Sequence, residues 1–155
     1  MYWKWTKSWE ISTKKAFGLL VEFNIGKFYS VYNRDSYIIA YLFKYQIKRE
    51  NGKLNEIRYS CGFPDSAKNK IISKLEEKKI NYLILDRRNN YEEDEKSNNK
   101  NLNTYSKIMI PAKKYANNRI RLDNIYNYFL ENICEDTTRK MLIDLENKIN
   151  ETREV

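Results

Sequence analysis

Short apolar runs separated by turn residues predict the strands of this chain. Each run is five to nine residues long and contains β-branched or aromatic residues, as strands do. Gly26 separates the first two runs, and Asn51-Gly52 separates the next two, so each pair is predicted to form a hairpin. Pro111 is expected to stop the last run. The predicted strands are 17–24, 28–32, 45–50, 54–62, 81–86 and 104–110.

Apolar residues at helical spacing predict the helices. A short helix is expected at 36–43, with Asp35 as its N-cap. A second follows Pro64, which fits the first turn of a helix or the position just before it. Two more are expected near the C-terminus. The apolar faces are Ile71, Ile72, Leu75 and Ile80 for the second helix, Leu122, Ile125, Tyr126, Phe129 and Ile133 for the third, and Leu142, Leu145 and Ile149 for the fourth.

These elements together predict an α/β protein of the α+β type. A mixed sheet with flanking helices is expected over residues 1–110, and a C-terminal helical hairpin over 111–155 is expected to pack on this domain or to extend it. The acidic, asparagine-rich segment 88–103 is predicted to be a loop. At 155 residues the chain is long enough for one domain with a real core.

The charge of the chain is uneven along its length. The net charge is +8, and residues 110–155 hold eight residues of each sign, so the whole excess lies in 1–109. A concentrated positive charge favours a polyanionic partner such as nucleic acid. The alternative is a lysine-rich surface that reflects an AT-rich coding sequence. No segment has the pattern of a secretory signal or a transmembrane helix, and the two cysteines are expected to be reduced, so a cytoplasmic protein is predicted.

No combination of residues predicts a catalytic centre. The chain has no histidine, two widely spaced cysteines and only four glycines, which excludes histidine-based triads, a zinc tetrad and a phosphate-binding glycine loop. Acidic clusters at Glu76-Glu77 and at 92–95 are most simply a solvated helix face and a loop. We therefore expect a non-enzyme without metal or cofactor. A metal-dependent nuclease remains the weaker third hypothesis.

The order of these motifs resembles a known family. LLVEFNIGKFYSVYNRDSYIIAYLF contains an apolar strand, G-x-F-Y and an acidic residue before a helix, and CGFPDSAKNKIISKLEEKKINYLILD contains a G-F-P turn, a helix and an apolar strand. Over about residues 17–110 this order and spacing are similar to the N-terminal, mismatch-recognition domain of the MutS family of DNA mismatch repair proteins. The chain is too short for the later MutS domains. The resemblance therefore implies a stand-alone copy of the recognition domain.

The resemblance gives Phe28 a specific role. In MutS proteins the phenylalanine of F-x-E enters the minor groove and stacks on a mispaired base, while the glutamate hydrogen-bonds that base. Strand alternation places Phe28 and Ser30 on one side and Tyr29 and Val31 on the other, so Phe28 is expected to project outward. Ser30 departs from the family, because it stands where the glutamate should be, and Lys27 replaces an acidic residue. Both changes favour phosphate attraction over discrimination at the base.

The predicted function is non-catalytic binding of double-stranded DNA, and one form of this hypothesis adds a preference for mismatched or distorted sites. Phe28, Ser30, Lys27 and Tyr29 form its centre. The alternative is a protein-interaction or regulatory domain that kept the fold but lost DNA recognition, with another protein or a second copy bound through the C-terminal helices. The tryptophans Trp3, Trp5 and Trp9 are expected to pack in the fold rather than stack on bases. The further candidates for phosphate contact are Lys14, Lys15, Arg34, Lys48, Arg49, Lys53 and Lys68.

Overall fold

A six-stranded mixed sheet forms the framework of the N-terminal part of the chain. The computed structural model describes residues 19–24, 27–51, 57–86, 92–97 and 104–154. The strands are β1 (Leu19–Asn24), β2 (Phe28–Tyr32), β3 (Lys48–Asn51), β4 (Ile57–Pro64), β5 (Tyr82–Asp86) and β6 (Glu92–Ser97). The helices are α1 (Asn33–Phe43), α2 (Lys68–Glu77), α3 (Tyr105–Glu131) and α4 (Asp136–Arg153), and a 3-10 turn, Asp65–Ala67, precedes α2.

The strand order is β3-β4-β2-β1-β5-β6. Strands β1 and β5 are parallel, and the other neighbouring pairs are antiparallel. The predicted mixed sheet with flanking helices is therefore confirmed. Both predicted hairpins form, although Asn51 pairs with Ile57, so five residues rather than two connect β3 to β4.

Helix α1 covers one face of the sheet by packing against β2 and β4. Its residues Ile38, Ile39 and Ala40 are fully buried, as are Val31 and Cys61 of the two strands beneath it. This α1-covered face is the hydrophobic side of β2 and β4. Helix α2 buries the residues predicted for its apolar face, Ile71, Ile72 and Leu75, and Ile80 is buried just after the helix.

The segment 88–103 is not the loop that its composition predicted, because residues 92–97 form the edge strand β6. Strand β5 is apolar and buried from Tyr82 to Leu85, and β6 pairs with it in antiparallel register. Backbone hydrogen bonds of a ladder do not depend on side-chain polarity, and charged residues are common on edge strands because they prevent further pairing. Pairing with β5 therefore stabilises residues 92–97 as a strand, although their own strand propensity is weak.

The prediction of a last strand at 104–110 is wrong, because this segment begins helix α3, which continues through Pro111. Met109, Ala112 and Ala116 are buried at spacings of three and four residues. Their packing compensates for the helix hydrogen bond that a proline removes. Asp35 likewise lies in the first turn of α1 rather than at its N-cap, which is Tyr32. Its carboxylate accepts a hydrogen bond from the Tyr105 hydroxyl at the start of α3.

The chain divides into two compact units, residues 1–117 and 118–155. The boundary lies within α3, a few residues beyond the limit of 110 expected from the sequence. The second unit consists of the remainder of α3, a connection at 132–135 and α4.

Candidate nucleic-acid interface

Phe28 is the exposed aromatic residue at the start of β2. It is 55% exposed, whereas Tyr29 is 4% exposed and Val31 is fully buried. The alternation predicted for this strand is therefore confirmed. The Tyr29 ring stacks on Phe63 of β4, with ring centroids 5.3 Å apart and an angle of 19° between the planes. Burial of every second side chain fixes the strand, and Phe28 projects from a rigid support.

A backbone hydrogen bond holds Lys27, the residue before Phe28, in position. Lys27 has a φ of 66°, in the left-handed region that residues other than glycine, asparagine and aspartate seldom adopt. Its carbonyl oxygen accepts a hydrogen bond of 2.9 Å from the backbone N–H of Asp65, in the 3-10 turn after β4. Lys27 therefore lies beside the 3-10 turn that follows the G-F-P end of β4. Lys27 is exposed at this corner, directly before Phe28.

Phe28 belongs to the sheet face opposite the α1-covered face. Residues paired in an antiparallel ladder lie on the same face, so the register of β2 with β4, and of β4 with β3, identifies its neighbours. We call this surface the open face. It is formed by Phe28, Ser30 and Tyr32 of β2, by Arg58, Ser60 and Gly62 of β4, and by Lys48 and Glu50 of β3.

Ser30 lies beside a glycine in the centre of the open face. Its cross-strand partner on β4 is Gly62, which is exposed. A Cβ atom added at Gly62 would come within 3.5 Å of the Tyr29 carbonyl oxygen, an ordinary van der Waals distance. The fold therefore does not require glycine here, and its absence of a side chain leaves the sheet accessible beside Ser30. On the other flank of Ser30, Glu22 of β1 occupies the paired register position.

Two cationic residues belong to the open face. Lys48 is exposed on the edge strand β3. The guanidinium carbon of Arg58 lies 5.4 Å from the centroid of the Tyr32 ring, which is a cation–π contact. The sequence analysis missed Arg58 and Tyr32, because their place on the same sheet face as Phe28 depends on the pairing of β2 with β4.

The other predicted phosphate contacts are dispersed. Arg49 pairs with Tyr59 and so belongs to the opposite side of the sheet. Lys68 is half-buried, with its ammonium 5.9 Å from the centroid of the buried Tyr29 ring. Arg34 is exposed in the first turn of α1. Lys14, Lys15 and Lys53, like Trp3, Trp5 and Trp9, lie outside the described residues.

Tyr29 and Cys61 have packing roles behind the open face. The 4% exposure of Tyr29 leaves its ring unable to stack on a base, so its part in the predicted site is to anchor the strand. Cys61 is fully buried, and burial raises the pKa of its thiol to about 12 against the lowering effect of Lys48. A protonated, inaccessible thiol is a poor nucleophile.

An open cleft of about 490 Å³ lies between the end of α1 and α2, away from the open face. Among its lining residues, the Lys74 ammonium donates to both carboxylate oxygens of Glu77 at 3.0 and 2.9 Å. This hydrogen bond lowers the pKa of Glu77, so the carboxylate stays ionised at neutral pH. The cleft therefore contains a Lys74–Glu77 ion pair rather than a carboxylic acid that could donate a proton.

The fold and the exposed Phe28 are accompanied by a direct family match. The sequence pattern of MutS domain I matches residues 5–110, which is more than half of the chain. The chain belongs to the MutS domain I family. The match relates it to the mismatch-recognition domain of MutS and includes every strand of the sheet. A search of curated proteins found no match.

Two departures from the family motif described above lie on the open face and at the corner before Phe28. Ser30 replaces the glutamate that follows the family's phenylalanine by two residues, and Lys27 precedes Phe28. Residues 111–155, which include α4 and most of α3, follow the matched region.

In the described part of this MutS domain I chain, no group of three or more histidine, cysteine, aspartate or glutamate residues is arranged to hold a metal ion. Across the described helices, none combines the length and the apolar composition needed to cross a membrane.

Proposed function

We propose that this domain binds double-stranded DNA without catalysing a reaction on it, and that Phe28 is its minor-groove wedge. The observation that carries the proposal is that Phe28 is 55% exposed, whereas Tyr29 and Val31 of the same strand are buried. A backbone hydrogen bond from Asp65 holds Lys27, the residue before Phe28, in place. A large apolar side chain held out by the backbone has little packing role. Such a side chain suits insertion between base pairs, as apolar wedges do in proteins that kink DNA.

The cost of insertion gives the wedge its selectivity. Unstacking a base step costs a few kcal/mol, and the cost is least where pairing is already poor. The backbone of Phe28 loses little conformational entropy on insertion, because it is already paired with strands on both sides. A mismatched or distorted site is therefore the preferred target.

Electrostatic attraction supplies the general affinity. Residues 1–117 contain 23 basic and 13 acidic residues, a net charge of +10, whereas residues 118–155 contain six basic and eight acidic residues. Lys27 places part of this charge directly before Phe28, and Lys48 and Arg58 place part of it at the other end of the open face, where Glu50 offsets one charge. Phosphate contacts of this kind hold the duplex but carry no information about the base pair.

Ser30 limits discrimination in this proposal. Its hydroxymethyl group is short and uncharged, so it does not provide the charged hydrogen bond that a glutamate offers at a mispaired base. We accordingly propose strong binding to duplex DNA with a moderate preference for mismatches. The alternative, an interaction module that has lost DNA recognition, predicts no duplex binding at all.

The test is a titration of matched and mismatched duplexes at several salt concentrations. With five or six phosphate contacts, the logarithm of the association constant should fall with the logarithm of salt with a slope of about −5. Lys27→Asn should reduce the slope by about 1, because one contact is lost. Asparagine tolerates the left-handed conformation of Lys27, so the turn is kept.

The matched control is Lys140→Gln, which removes an exposed charge from α4 and should leave the slope unchanged. Absence of duplex binding at low salt would overturn the proposal in favour of the interaction module. Binding that does not depend on salt would overturn its electrostatic part.

A further inference from the structure

The C-terminal unit, residues 118–155, has almost no core of its own. Over the described residues 118–154, Thr138 is the one buried residue, and its hydroxyl has no hydrogen-bond partner. Helices of this length depend on packing of an apolar face for most of their stability. The unit as a single copy does not provide such packing.

Each helix of the unit carries an apolar stripe that is open to solvent. On α3, Ile125 and Tyr126 follow Leu122 at spacings of three and four residues, and Ile133 lies in the connection after the helix; all four are 50–62% exposed. Met141, Leu145 and Ile149 recur every four residues on α4 and are 41–48% exposed. We call these two sets the apolar stripes. The short connection at 132–135 joins the two helices that carry them.

We propose that the apolar stripes bind the same stripes of a second copy of this chain. Two copies that bring the apolar stripes of both helices together form a four-helix arrangement, a common solution for helices with one apolar side. The proposal is independent of DNA binding, because it concerns the unit beyond the family match.

The exposed area of the stripes fits a dimer. Seven large apolar residues at about half exposure, with roughly 150–200 Å² of surface for each, present about 600 Å² of apolar surface per copy. Homodimer interfaces are about 65% apolar, so the polar rim brings the total to roughly 900 Å² per copy. A stable interface needs about 800 Å² from each partner.

The charge of the unit favours a protein partner of its own kind. Six basic and eight acidic residues are interspersed along 118–155, a net charge of only −2, so two copies meet with little net repulsion. A duplex would be repelled by the acidic excess. A membrane surface is also disfavoured, because helices that lie on membranes carry polar faces rich in lysine and arginine.

The experiment is light scattering coupled to gel filtration on the full chain without DNA. Interfaces of this size have dissociation constants of about micromolar or tighter, so the range from ~1 to ~100 μM is measured. The expected mass is twice 18.8 kDa. Leu145→Glu places a charge in the stripe and should raise the dissociation constant by at least about tenfold.

The matched control is Ile143→Glu on the same helix. Ile143 is 46% exposed and Leu145 is 43% exposed, but two residues along a helix are about 200° apart, so Ile143 lies off the stripe. It should leave the dissociation constant unchanged, and circular dichroism should show that both variants keep their helices. A monomer throughout the concentration range overturns the proposal, as does a monomer that binds anionic lipid vesicles. Equal effects of the two variants on the dissociation constant also overturn it.

Discussion

Replacing Phe28 with alanine tests whether this residue contributes mainly to the stability of the fold or to DNA binding. Full burial of a phenylalanine contributes about 1.5–3 kcal/mol to stability. Phe28 is 55% exposed, so less than half of that stabilisation is present in the fold. The substitution should therefore lower the free energy of unfolding by about 1 kcal/mol, which corresponds to roughly 2–4 °C in Tm for a protein of this size.

Phe63→Ala is the matched variant for stability. Phe63 is 1% exposed and stacks on Tyr29 from the neighbouring strand. Removing a buried phenylalanine costs about 3–5 kcal/mol, several times the cost expected at Phe28. Thermal unfolding followed by circular dichroism gives both values under the same conditions. Similar losses of Tm for the two variants would show that Phe28 is a core residue and would refute its assignment as a wedge.

The effect on DNA should be larger than the effect on stability. An aromatic side chain stacked on a base is worth about 1–3 kcal/mol, and 1.4 kcal/mol is tenfold in affinity. Phe28→Ala should lower the ratio of mismatched to matched affinity by about fivefold or more, as measured by fluorescence anisotropy. Ile57→Ala, which removes a 51% exposed apolar side chain from the start of β4, is the control and should leave this ratio unchanged. A ratio that Phe28→Ala also leaves unchanged rules out stacking.

Three further substitutions test the site and its support. Ser30→Glu should lower affinity for a matched duplex by repelling phosphates, yet raise the mismatched-to-matched ratio through a charged hydrogen bond of roughly 1.5–3 kcal/mol; paired titrations that show an equal loss on both duplexes would place Ser30 away from the base. Gly62→Ala should keep or raise Tm, since alanine stabilises a strand by about 0.5–1 kcal/mol relative to glycine. The same substitution should weaken duplex binding, and unchanged binding would show that DNA does not bind at the open face. Tyr105→Phe should cost about 1.5–3 kcal/mol in urea unfolding by removing the hydrogen bond to Asp35, whereas Tyr41→Phe, which keeps its ring contact with Tyr115, should cost little. Burial, followed by the charge of Asp35, raises the pKa of Tyr105, so its stabilisation is present below about pH 10 and is lost at higher pH; the Tyr105→Phe protein should lack that alkaline loss.

Local sequence was sufficient for the features that depend on neighbouring residues. The alternation at 28–32 correctly predicted that Phe28 is exposed and that Tyr29 and Val31 are buried, because successive side chains of a strand point to opposite faces. The spacing of Ile71, Ile72 and Leu75 likewise predicted the buried side of α2. The order of motifs from 17 to 110 indicated the family.

Tertiary structure decided the features that depend on distant partners. Strand β6 forms because β5 needs a partner, and α3 continues through Pro111 because Met109, Ala112 and Ala116 are buried on one side of it. Neither result can be predicted from the local sequence of 92–97 or of 104–110 alone.

The composition of the site was also decided by long-range pairing. Lys48 and Arg49 are adjacent in sequence, yet strand register places Lys48 on the open face and Arg49 on the opposite side. Arg58 joins Tyr32 only because β4 pairs with β2. The pattern of Leu122, Ile125 and Tyr126 predicted an apolar helix face but not that it would stay exposed. Periodicity specifies which side chains share a face, whereas the long-range packing of strands and helices determines what that face meets.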